Sequence, residues 1–183
     1  MKKPLLCAAM SALLIMSYAQ AESTNEVMSS TNITIDGAIS GGDGACAVAM
    51  SKSTISLLAD KTTIIPQSQQ KANSFNGTFF VSMSGDSICN ERVQQGKMAV
   101  RFTGPADEVE GTVFANTATG ENAAKGVGVG LFYNSRGRVV INQGAIPVTT
   151  KPLELGMQVV SLTGQDVVEG NVQAAITVEV VRL

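Results

Sequence analysis

Residues 27–39, Val-Met-Ser-Ser-Thr-Asn-Ile-Thr-Ile-Asp-Gly-Ala-Ile, alternate with a period of two. Thr31, Ile33, Ile35, Gly37 and Ile39 fall on one face, and Asn32, Thr34, Asp36 and Ala38 on the other. Such alternation predicts a strand buried on one side. An apolar strand near a chain's free end needs a groove to lie in. It can pair within its own domain as an ordinary first strand, or it can lie in a groove that belongs to another molecule.

The same period recurs along the chain. Residues 75–83 put Phe75, Phe79, Val81 and Met83 on one face with Gly77 in register. In residues 97–103, Met98, Val100 and Phe102 oppose Lys97, Arg101 and Thr103. Residues 126–132 set Val127, Val129 and Leu131 against three glycines, which leaves room for a neighbouring backbone or an overlying aromatic. Residues 134–137 read as a hairpin turn leading into a strand over 138–142. Finally, residues 172–180 place Val172, Ala174, Ile176, Val178 and Val180 on one face. Polar, turn-rich stretches separate these runs, and no strong helical period emerges. Many short strands with regular turns predict a single antiparallel, immunoglobulin-like β-sandwich.

The amino-terminal residues change the frame. Lys2 and Lys3 precede an apolar run over residues 5–16, followed by Ala19-Gln20-Ala21. That pattern is a secretory signal peptide, residues 1–21, and its apolar run is too short to span a bilayer. Cys7 leaves with it, and the mature chain starts at Glu22 with no predicted membrane span. Of 13 basic residues 2 lie in the leader, so 11 face 15 acidic ones, a net charge of −4. Without a basic stripe, nucleic acid is not an expected partner. Two cysteines remain, Cys46 and Cys89, and an even count in an exported chain predicts a disulfide.

Catalytic patterns are missing. The chain has no histidine, which excludes Ser-His-Asp and Cys-His arrangements and leaves two sulfurs unable to complete a zinc site. Ser68-Gln69-Gln70-Lys71 matches an S-x-x-K pattern but lacks its partner motifs. The alternate glycines at 126, 128 and 130 are not followed by a helix, as a nucleotide loop requires. Asp107, Glu108 and Glu110 form an acidic cluster without the ligand spacing of a calcium loop, and read as a solvated turn. We expect no enzyme activity, no cofactor and no metal.

Taken in order, Ile33-Thr34-Ile35-Asp36-Gly37-Ala38-Ile39, Cys46-Ala47-Val48, Cys89, the alternating glycines and the carboxy-terminal alternating strand resemble a chaperone–usher pilin subunit of the type 1 fimbrial kind. The chain ends Val181-Arg182-Leu183, where that family usually has an aromatic next to last. The resemblance implies an all-β, incomplete immunoglobulin-like sandwich completed by a donor strand from another subunit. It implies an amino-terminal extension over residues 22–45 and a pilin domain over 46–183. Thr31, Ile33, Ile35, Gly37 and Ile39 would form the donor face. The acceptor groove would be flanked by the strand that follows Cys46 and by Val172, Ala174, Ile176, Val178 and Val180. The implied partners are a periplasmic chaperone, an outer-membrane usher and neighbouring subunits, on the route to a surface fimbria that supports adhesion. A minor adaptor or tip-associated binding subunit of the same fibre is the alternative.

Overall fold

In the computed structural model, which describes residues 31–38, 46–133 and 137–183, the alternating segments become strands of two facing sheets. Residues 1–30, 39–45 and 134–136, which include the expected leader, Ile39 and most of the expected hairpin turn, lie outside the described residues. One sheet has the order β10 (Ala145–Pro147), β6 (Met98–Thr103), β12 (Gln173–Arg182), β1 (Thr31–Ala38) and β3 (Thr54–Leu57). The other runs β2 (Cys46–Met50), β5 (Gly77–Gly85), β11 (Leu153–Ser161), β8 (Val127–Tyr133) and β7 (Phe114–Ala115). The short strands β4 (Ile65–Pro66) and β9 (Gly137–Arg138) pair with β11 and β8.

Between the sheets, Phe79, Phe102, Phe114, Leu131, Leu155, Met157 and Ile176 are fully buried. This is an all-β sandwich, as expected. Pairing is mostly antiparallel, but β1 runs parallel to β12 and β4 parallel to β11.

Three expectations need correction. A helix, α1 (Ser87–Gln94), does form, although only Cys89 and Val93 are buried on it. It is set by its ends instead of an apolar stripe: the Asp86 side chain caps it by accepting from the Cys89 N–H at 2.8 Å. The strand expected over 138–142 stops at Arg138. Val139 and Ile141 turn into the core there, and Asn142, at φ 63°, swings the chain across to the other sheet. Its N–H donates to the Phe102 carbonyl and its side chain bridges both backbone groups of Gly104.

Phe75, placed by alternation on the core face, instead lies before β5 and covers the outer face. A Cβ at Gly156 would sit 2.2 Å from its ring, and the Phe75 and Phe132 ring centroids are 6.0 Å apart. The glycines of β8 have close neighbours of the expected kinds. A Cβ at Gly128 would meet the Phe114 carbonyl at 2.9 Å, and one at Gly130 the Phe132 ring at 2.9 Å.

Candidate functional site

The alternation of residues 31–38 is resolved as a strand lying between two others that are remote in sequence. On one side Asn32 to Ala38 pair with Gln173 to Glu179 of β12 over seven positions; on the other, Thr31 to Thr34 pair antiparallel with Leu57 to Thr54 of β3. The Ile35 N–H adds a 2.8 Å bond to the Ser53 carbonyl.

Ile33 and Ile35 are 0 % and 1 % exposed, while Thr34 between them faces solvent. Their register partners Ala174 and Ile176 are buried on the same face, as is Val178 opposite Gly37. Ile55 and Leu57 close the groove from β3. Burying the two isoleucine side chains stabilises this strand by about 3–6 kcal/mol before ordering costs.

Each residue singled out from the sequence can now be located. Val172, Ala174, Ile176 and Val178 are buried, and Val180 is half-buried against the core. Thr31 and Gly37 lie in the β1 ladder, and Ile39 is outside the described residues. The second flank of the groove is β3, not the strand beginning at Cys46. β2 belongs to the opposite sheet, and the chain crosses over at residues 51–53 before forming β3. Sequence reasoning missed β3, although Thr-Ile-Ser-Leu does alternate; four residues are a short signal.

Cys46, at the start of β2, is bonded to Cys89 on α1 across 43 positions, as the cysteine count implied. The bond ties the first residue after the connector to the body of the domain.

The acidic cluster is neither a calcium loop nor a freely solvated turn. Asp107 is 5 % exposed and its carboxylate accepts from the backbone N–H groups of Val109, Glu110, Thr112 and Val113 at 2.8–3.1 Å. Burial works against its charge, but the N–H donors led by Glu110, together with the Gln67 side chain, outweigh it and hold the carboxyl below the usual aspartate range. Nearby, Arg138 donates to Thr112 Oγ1 and to the carbonyls of Gln67 and Gln69. Gln67, fully buried, donates to Thr112 and accepts from the Thr163 N–H. These contacts pin the 60s loop over β11 and β8. Among the described residues no group of three or more acidic or sulfur ligands could hold a metal ion.

A family model described as "Fimbrial protein" matches residues 33–181, from within β1 to the penultimate residue of β12. The chain belongs to this family. It is thereby a pilin-type structural protein of a surface fimbria, not an enzyme, and its partners are other pilin subunits. A search of the curated proteins gives no match. Among the described residues of this fimbrial protein, no helix is long and apolar enough to cross a membrane.

Proposed function

We propose that the groove between β3 and β12 is the joint of the fibre, and that the β1 of one subunit fills this groove in the next. The observation that carries the reading is the place of β1. Taking it away leaves a gap one strand wide in the middle of a sheet, lined by Ile55, Leu57, Ala174, Ile176 and Val178. An open gap of this kind exposes two unpaired backbone edges and an apolar floor, which another chain's strand can complete. A periplasmic chaperone would shield it before assembly, and an outer-membrane usher would be the place of exchange. The residues preceding Cys46 would then act as extension and those from Cys46 onward as acceptor domain.

Strand direction supports exchange. Gly77 lies over Ile55 and Leu57 while Cys46 pairs with Gly85 at the far end of β5, so Cys46 sits beyond the Ala38 end of β1. The chain therefore enters its own groove by folding back, which makes β1 parallel to β12. The opposite direction would carry Ala38 away from Cys46 by the length of the strand, roughly 23 Å over its seven Cα–Cα steps. The eight steps from Ala38 to Cys46 span at most about 29 Å, so that arrangement would need a connector drawn nearly straight. A neighbour's β1 has no such tether. It can run antiparallel along the seven-position β12 ladder, the more stable arrangement per residue. Its alternating apolar face reads the same in either direction.

The test is to compare Ile35→Asp with Ile176→Asp in cells that assemble the fibre. Ile35→Asp should leave subunit in the periplasm that is not built into fibres, whereas Ile176→Asp should deplete the subunit itself. Normal incorporation of Ile35→Asp would overturn the proposal.

A further inference from the structure

We propose that successive subunits meet in a second, electrostatic contact besides the strand: the α1 end of one sandwich seats on the loop end of the next. The inference rests on the reading of the groove between β3 and β12 as the joint. The ladders fix the two ends. At the loop end β12 starts and β3 finishes, with Leu57 paired to Thr31. The loops on either side of β8 and β11 join there: the Lys125 and Val168 backbones exchange bonds of 3.0 and 3.1 Å, and the Leu162 N–H donates to the Gly126 carbonyl at 2.9 Å. At the opposite end α1 leads into β6 as β12 finishes. The Lys97 N–H donates to the Arg92 carbonyl and the Leu183 N–H to the Lys97 carbonyl, both at 2.9 Å. The Val148 N–H reaches the Met98 carbonyl at 3.0 Å, which brings the turn containing Lys151 to the same end.

The ends differ in charge. The loop end carries Asp60, Glu121, Asp166 and Glu169, and Glu110 is drawn to it by accepting from Thr163 Oγ1. Only Lys61 and Lys125 oppose these five, a net charge of −3. The α1 end carries Arg92, Lys97, Lys151 and Arg182 against Asp86 and Glu91, a net charge of +2. Each end also exposes apolar side chains, Leu58 and Val168 on one and Ile88 on the other. Strand direction decides which ends meet. A neighbour's β1 running antiparallel to β12 brings its Ala38 to the start of β12, at the loop end of the subunit that receives it. Residues 39–45 then lead, over at most about 29 Å, to the donor's Cys46, beside its α1 end. Unlike charges therefore face each other at every joint, whereas a parallel strand would set two α1 ends together. Because each copy offers one end of either kind, the contact repeats head to tail along the fibre. It also fixes the angle between neighbours, which strand pairing alone leaves to the connector.

A charge swap tests this, because one chain supplies both sides of every contact. Glu121, Glu169, Lys97 and Lys151 are all exposed, so their replacement leaves the core intact. In cells with a single source of subunit, one strain carries Glu121→Lys with Glu169→Lys, a second Lys97→Glu with Lys151→Glu, and a third all four changes. The readout is surface fibre per unit of periplasmic subunit, which cancels losses in folding; urea midpoints of the monomers check folding directly. Each pair sets like charges against each other and should lower this ratio about fivefold or more. The quadruple variant inverts both ends and should return to within about twofold of the wild type. Pair variants that assemble as the wild type does, a loss confined to one pair, or a quadruple variant no better than the pairs would overturn the end contact. Ile35→Asp, assayed beside them, reads the groove separately. Its normal incorporation would remove the strand joint, whereas rescue in the quadruple variant would still set unlike ends together.

Discussion

If β1 is a removable strand, damage to it must saturate. Ile35 is 1 % exposed, and an aspartate there would bury an unpaired carboxylate at a cost of several kcal/mol, more than the roughly 1.5–3 kcal/mol the isoleucine contributes. The strand has an escape that a core strand lacks: it can leave the groove and solvate the charge. The stability lost by Ile35→Asp is then capped at the docking free energy of β1, on the order of 3–6 kcal/mol before ordering costs. Adding Ile33→Asp should cost no more than about 0.5 kcal/mol beyond the single change, because the strand has already gone. Ile176 has no such escape, since β12 is paired to β6 on its other side from Thr177 to Arg182. Ile176→Asp should abolish cooperative folding. Urea unfolding of the monomers gives the free energies, and hydrogen exchange over residues 31–38 shows whether the strand has left. A double variant that costs the sum of the two singles, or an Ile35→Asp that unfolds as Ile176→Asp does, would refute the reasoning.

Other consequences are open to simpler measurements. Reducing Cys46–Cys89, or replacing both with serine, should cost about 4 kcal/mol for a loop of this size; an unchanged urea midpoint would contradict that. Asp107 should contribute stability above the unfolded carboxyl pKa and lose it as pH falls through its lower folded value, so Asp107→Asn should show a flatter acid limb in pH-dependent unfolding. An acid limb as steep as the wild type would place the titration elsewhere. Gly126, at φ 65°, would put a Cβ 2.3 Å from the Asp166 carbonyl oxygen, so Gly126→Ala should destabilise by more than about 1 kcal/mol in thermal or urea unfolding.

How much of this was legible in the chain depended on how each strand is covered. β12 alternates because Gln173 and Ala175 face solvent while Ala174, Ile176 and Val178 do not, and its period is visible at once. β11 escaped notice for the opposite reason. From Leu155 to Val160 it is buried on both faces, with Gly156 under the Phe75 ring and Gln158 bonded to the Thr63 carbonyl at 3.0 Å. A strand covered on both sides loses the alternation that identifies it. Phe75 was misplaced because period two was extended past the start of β5. The helix α1 is polar on most of its surface and owes its position to a cap and a disulfide, neither of which has a periodic signature. For the site, the β1 face and the β12 face could be read directly. The contribution of β3 could not, because the crossover at residues 51–53 separates it from the strand that starts at Cys46.

The central claim concerns which molecule fills the groove in the fibre, and electron cryomicroscopy of the assembled fimbria answers it by tracing residues 39–45. The account predicts that the strand lying between β3 and β12 connects through this segment to the β2 of the adjacent subunit. A trace leading back to the β2 of the same subunit, in every subunit of the fibre, would contradict it.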